Sequence, residues 1–398
     1  MGTALLVGLA CGLGLVCGCG HPGAPTAASG PPRGWMERSP ATREPPLRTP
    51  RDAPAPAEAH VVLTGGRLPG GEAVVLELRD GTITALSDGA APDVPRLDLG
   101  GRTLVPGFID SHVHLAYAFG PDAVARGQEL LARRGVVAGL DLATPVPAMG
   151  AFDRTRWRTS GPMITAPRGY PTLGWGADGY GLEASGAASV RAAIDGLADA
   201  GAGLIKVPFG HGPELREAEL AALVEHAHAR GLKVAAHALL DADVARAAAA
   251  GIDVLAHTPL EPLSDATVRA LANGRPRAVV STLMAFGGSR VAVDNLRRLH
   301  EAGVVVLYGT DLGNSPVLGI DVDELALLRR AGLSPQQGLD AATTTAAAWW
   351  GLSELGALAP GRAATFLVLD DDPLEHLDVL ARPSAVWIDG VPQAPAGE

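Results

Sequence analysis

From Pro106 to about Gly351 the chain alternates short apolar runs with longer segments of helical period. Eight of the runs read as strands: GFIDSHVHL, GVVAGLDLA, GPMITAP, GLIKVPF, KVAAHAL, DVLAHTP, AVVSTL and GVVVLYGTD. Helix-like stretches such as ELREAELAALVEHAHAR separate several of them. Alternating strand and helix predicts a parallel α/β fold. Eight such units predict a closed (β/α)8 TIM barrel over residues 105–356, with its chemistry at the C-terminal ends of the strands. A different pattern holds the two ends. HVVLTGGRL, AVVLELRDGTITAL and RLDLGGRTL are strand-like, with Gly65-Gly66, Asp80-Gly81 and Gly100-Gly101 as turn signals. TFLVL and SAVWI, near residues 365 and 384, are again strand-like. Each set lacks a partner layer of its own, so segments 60–104 and 357–392 are expected to build one small β-sandwich together.

The first nineteen residues, MGTALLVGLACGLGLVCGC, are small and apolar over the length of a signal-peptide core. The run VCGC resembles the lipobox of bacterial lipoproteins, which implies cleavage before Cys19 and its lipidation. No Lys or Arg precedes the apolar core, a departure that leaves an uncleaved N-terminal anchor as the other reading. Residues 20–59 are rich in Pro, Arg, Ala and Gly with no apolar period, the composition of an extended tether. Together they predict a body held at the bacterial cell envelope by a lipid anchor, at the outer membrane or the periplasmic face. A secreted or periplasmic protein is the alternative.

Composition narrows the function. A net charge of −11 over 398 residues, with 4% aromatic residues, gives no basis for nucleic-acid binding. All three cysteines fall within the first nineteen residues, so the body has no thiol nucleophile, disulfide or zinc ribbon. Lysine occurs only at Lys206 and Lys233; the other thirty of the 32 basic residues are arginine. A chain that otherwise uses Arg, yet keeps Lys206 inside an apolar strand, points to a need for an amine there.

The polar residues of the eight runs stand near their ends. His112 and His114 are two apart, so on a strand both imidazoles project to one side. Lys206 follows on the fourth run, His237 on the fifth, His257 on the sixth and Asp311 on the eighth. Burying such groups is costly unless they are paired or bind metal, and neutral imidazole suits a metal such as zinc. His226 and His228 lie two apart on a helix, which turns them about 200° from each other, and read as solvated or packing residues. His300, His21, His60 and His376 are not expected as ligands. His211, in the loop after the fourth strand, reads as a turn residue or a substrate contact. Arg168 and Tyr170 begin a long Gly- and aromatic-rich loop after the third strand, a position that shapes substrate pockets. Arg168 there is either a bidentate partner for a substrate carboxylate or a surface residue.

The ordered set HxH after PGFID, then Lys, His, His and GTD, resembles the amidohydrolase superfamily of metal-dependent hydrolases. The likeness covers roughly residues 60–392 and is nearest to the binuclear branch of imidazolonepropionase-like and prolidase-like enzymes. It implies that His112, His114 and Asp311 hold one divalent metal and that His237 and His257 hold a second, with zinc the expected ion. Lys206, carboxylated to a carbamate, would bridge them; a guanidinium cannot form that group. The other reading is a buried salt bridge from Lys206 to Asp311. The implied chemistry is attack by a metal-bridging hydroxide on a carbon–nitrogen bond, in an amide, cyclic amide or dipeptide-like substrate, with Asp311 as general base. Ester, lactone or phosphoester hydrolysis at the same site is the second option. A non-catalytic binding lipoprotein is the third. The expected partner is a small molecule, and the sequence leaves a homo-oligomer open.

Overall fold

The computed structural model describes residues 60–87, 93–210, 212–273 and 277–393. Cys19 and His211 lie outside the described residues. The two ends of the body meet. His60–Arg67 pairs antiparallel with Ala73–Arg79, which pairs in turn with Thr82–Ala85. Arg96–Asp98 and Thr103–Pro106 both lie parallel to His60–Arg67. Phe366–Leu369 joins Thr103–Pro106 antiparallel, and Ala385–Ile388 and Val391–Pro392 extend the edge. The hydrogen bonds thus describe one eight-stranded sheet, not the two separate layers expected. Its apolar face is a distinct cluster that includes Leu63, Leu76, Ile83 and Leu104, with the rings of Phe366 and Trp387 stacked at 5.6 Å.

All eight predicted barrel strands form. They are β1 (Phe108–Val113), β2 (Val136–Asp141), β3 (Met163–Thr165), β4 (Leu204–Pro208), β5 (Lys233–His237), β6 (Val254–Leu255), β7 (Ala278–Val280) and β8 (Val305–Leu307). Every residue of β1, β2 and β4 is buried, as expected of parallel strands covered on both sides. Two further short strands escape the hydrophobic pattern: Trp157–Thr159, parallel to β2, and Gly181–Glu183, parallel to β3. The strands form a TIM-barrel-like α/β arrangement in three runs, not the continuous closed ring expected: β1 with β2 and Trp157–Thr159, β3 with Gly181–Glu183, and β4 through β8. A few main-chain bonds bridge the runs, among them Gly203 N donating to Thr159 O at 2.9 Å and Ser111 N to Tyr308 O at 2.9 Å.

The helices cover the strands with apolar stripes. Arg290–Glu301 buries Ala292, Val293, Leu296 and Leu299 and keeps its arginines outward. Pro335–Ala342 starts from a capping box in which Ser334 and Gln337 satisfy each other's main-chain N–H. At the centre the strands approach closely. A side chain at Gly139 of β2 would meet both the Asp110 carbonyl and the Trp157 ring at 2.7 Å, so that position has no room for even a methyl group.

Candidate metal centre

The period of β1 places Asp110, His112 and, just past its end, His114 on one side. β4 and β5 are in register Lys206 to Ala235 and Pro208 to His237, which puts Lys206 and His237 on a common side as well. The chain beyond β8 runs beside β1, with Asp311 N donating to His112 O at 2.8 Å and His114 N to Leu312 O at 2.7 Å. Asp311 holds a left-handed φ of 57°, a conformation uncommon outside glycine. Gly313 follows with φ 110°, where a side chain would strike His114 Cβ at 2.9 Å.

The result is a polar cluster inside an apolar core. His112, His114, Lys206, His237, His257 and Asp311 are all buried. His112 Nε2 lies 3.1 Å from His114 Nε2. Asp311 Oδ1 lies 3.4 Å from His112 Nε2 and 3.2 Å from His114 Nε2. In a tetrahedral site with bonds of about 2.0–2.1 Å, neighbouring ligand atoms stand about 3.3–3.4 Å apart. The triangle of two nitrogens and one oxygen therefore has the size that one divalent cation needs. One ligand atom each from His112, His257 and Asp311 also falls within 4.8 Å of the others. The His257 ring packs 4.6 Å from His112 and 4.9 Å from His237, which carries the cluster across to β5.

Each donor is tuned by its neighbours. His112 Nδ1 donates to Ala256 O at 2.8 Å, which leaves Nε2 with its lone pair turned to the cluster. Burial holds the pKa values of His112 and His257 well below the ordinary imidazole value, so both are neutral donors. Burial works against the Asp311 carboxylate, but its interactions with the adjacent His112 and His114 rings outweigh it and bring its pKa to about 2. Lys206 is fully buried, and its Nζ has no hydrogen-bond partner among the described residues. Burial pulls its pKa to about 7, with Asp311 the opposing influence. Lys206 acts electrostatically on both His112 and His257, which places it at the same cluster.

Apart from Asp110, the last residue of PGFID, the supporting residues carry no motif. Asp110 accepts from His112 N at 3.0 Å, Thr310 N at 3.1 Å and Thr310 Oγ1 at 2.6 Å, tying the two ligand-bearing segments together. Burial raises its carboxyl to about 7. Asp141, raised by burial to about 6, accepts from Leu115 N at 2.6 Å and so fixes the chain just after His114. Thr282, at φ 42°, pairs through Oγ1 with His257 Nδ1 at 3.1 Å. Glu324 accepts from Leu283 N at 2.9 Å and Met284 N at 2.7 Å, holding the loop that presents Thr282. The only sequence signal for these residues is a polar group inside an apolar run, and in Asp110 and Asp141 that signal was present.

The weaker predictions separate. Tyr170 reaches the cluster, its ring 5.5 Å from His237 and its hydroxyl accepting from Trp175 Nε1 at 2.8 Å. Arg168 is exposed, with φ 60°, and its main-chain N donates to Glu183 Oε1 at 2.8 Å. His226 and His228 stand apart from the cluster, paired with Asp195 at 2.9 Å and Asp253 at 2.8 Å.

Buried imidazoles, an ionised carboxylate and a buried amine, gathered on the barrel strands and just beyond their ends, form a candidate metal centre of the kind enzymes use. Residues 103–392 match the amidohydrolase family, and the chain belongs to it. An imidazolonepropionase of Deinococcus deserti is 30% identical over 345 residues, covering 73% of this chain and 84% of its own length. An uncharacterised protein of Mycobacterium tuberculosis is 27% identical over 361 residues, covering 81% and 93% respectively. Among solved structures, a Xaa-Pro dipeptidase with bound methionine in its active site shares the fold at a TM-score of 0.74, with 20% identity over 84% of this chain and all of that one.

Proposed function

We propose that this amidohydrolase cleaves the carbon–nitrogen bond of an amide, cyclic amide or dipeptide-like substrate at a centre of two divalent metals, zinc the expected ion. Membership of the amidohydrolase family supports hydrolysis at such bonds. Relatives named imidazolonepropionase and a fold neighbour named Xaa-Pro dipeptidase support a cyclic or dipeptide-like substrate. In this reading His112, His114 and Asp311 would hold one ion, His237 and His257 would hold the other, and Lys206, carboxylated to a carbamate, would be a ligand shared by both. The lipobox-like run ending at Cys19 supports attachment at the cell envelope.

The observation that carries the reading is Lys206: a fully buried amine with no hydrogen-bond partner among the described residues, facing a carboxylate and neutral imidazoles. A salt bridge to Asp311 would need the ammonium, and burial disfavours that form. The neutral amine can attack carbon dioxide: an N–C bond forms, one C=O bond opens to an oxyanion, and the amine proton leaves to solvent. When bound, divalent ions supply a nucleophilic hydroxide at neutral pH and polarise the scissile carbonyl. Asp311 moves the proton. Its carboxylate would take one from the attacking water and return it to the leaving nitrogen. The pairing of His112 Nδ1 with Ala256 O fixes that ring so that it cannot rotate away during the cycle.

Elemental analysis of protein purified without chelator tests the centre, with about two divalent ions expected per chain. Lys206→Arg keeps the charge but cannot be carboxylated, and is expected to lose one ion and nearly all turnover. A folded, active and metal-free enzyme, or wild-type turnover in Lys206→Arg, sinks the reading.

A further inference from the structure

Three of the chain's four tyrosines gather with one tryptophan on one side of the histidine cluster. Trp175 lies edge-on to His114 at 5.6 Å and to Tyr117 at 5.4 Å, and packs on Tyr180 at 5.4 Å. Its Nε1 donates to the Tyr170 hydroxyl, whose own ring faces His237. Phe286 stands edge-on to the third ring, His257, at 5.2 Å. The histidines are buried, whereas Tyr117, Tyr170, Trp175 and Phe286 are each half-buried. These rings therefore border the cluster on a side that is partly open to solvent. Neither of the described cation–ring contacts involves them.

We propose that this wall, with Trp175 at its centre, selects substrates that carry an aromatic or other flat apolar group beside the scissile bond. The inference rests on the hydrolytic reading above and sharpens its substrate class. A ring laid against Trp175 and Tyr170 buries apolar surface and gains edge or offset stacking. An anionic group in the same place loses water and meets the negative faces of the rings. The hydrogen bond between Trp175 and Tyr170 holds the two rings in place before the substrate arrives, so little ordering is left to occur on binding.

The test is isothermal titration of the metal-loaded enzyme with benzylphosphonic acid and with methylphosphonic acid, which share an anionic head and differ in the ring. Wild type is expected to bind the benzyl compound at least about tenfold more tightly, equivalent to about 1.4 kcal/mol. Trp175→Ala should lose that preference with metal content unchanged, and Trp175→Phe should keep most of it. Hydrolysis of phenylalanyl-alanine against glutamyl-alanine should show the same ranking in kcat/KM. Equal affinity for the two phosphonates in wild type, binding of neither, or a preference that survives in Trp175→Ala overturns the wall. A benzyl preference without hydrolysis of any amide supports the wall and removes the hydrolytic reading alone.

Discussion

Replacing Lys206 by methionine should stabilise the metal-stripped protein while abolishing its function. The fully buried Lys206 amine has its pKa lowered from 10.5 to about 7 by desolvation. At about 1.4 kcal/mol for each tenfold in proton affinity, carrying the ammonium into that site costs about 5 kcal/mol. Methionine is similar in length, flexible and uncharged, so it fills the space without that cost. The sign follows from proton counting. Between about pH 7 and pH 10.5 the unfolded chain holds the Lys206 proton and the folded chain does not, so wild-type stability rises with pH. Below about pH 7 both states are protonated and the cost is present in full. Lys206→Met should therefore exceed wild type by about 5 kcal/mol at pH 6 and by about 3 kcal/mol at pH 8.5, converging near pH 10.5. Urea unfolding of chelator-treated protein across that range measures the difference. Asp110 and Glu324, each raised by burial to about 7, titrate in both proteins and cancel in the comparison. A difference that stays flat with pH, or a variant less stable than wild type at pH 6, refutes the argument. The same variant should bind less metal and turn nothing over, a direct measure of what the site costs the fold.

Two further substitutions separate roles within the cluster. Asp311→Asn keeps an oxygen donor but removes the basicity, so metal content should fall modestly while kcat falls about 10²–10⁴-fold; a proportional loss of both would make Asp311 a ligand only. Thr282→Val removes the hydroxyl that pairs with His257 Nδ1, and metal affinity should fall about 10–100-fold with turnover near normal at saturating metal. Unchanged affinity in a competition assay with a chromogenic chelator would mean His257 is oriented by its ring contacts alone.

The parts of this molecule that could be read in advance are those whose physics is local. A two-residue period aligns His112 with His114, and a burial pattern betrays β1, β2 and β4. Lys206 stood out because the chain avoids lysine almost everywhere else. What escaped depends on partners distant in sequence. Thr282 matters only because its left-handed backbone aims a hydroxyl at His257, 25 residues away. Trp175 looked like one ring in a loop until Tyr117 and His114 came beside it. Trp157–Thr159 was missed because three residues are too few to show a period, and its strand role is set by pairing with β2. The joining of the chain ends was legible from two unpartnered sets of strands, while their hydrogen bonding into one sheet was not.

The seam between Thr103–Pro106 and Phe366–Leu369 fixes an order of events in biosynthesis. Thr103–Pro106 leads almost directly into β1, and Gly107 N donates to Thr365 O at 3.2 Å. A ribosome makes His112 254 residues before Phe366, counted from position 112 to 366. At 5–20 residues per second that is a delay of about 10–50 s. Throughout it Thr103–Pro106 lacks the strand that flanks it, and Asp311 is made before that strand, so every candidate ligand precedes the closing of the seam.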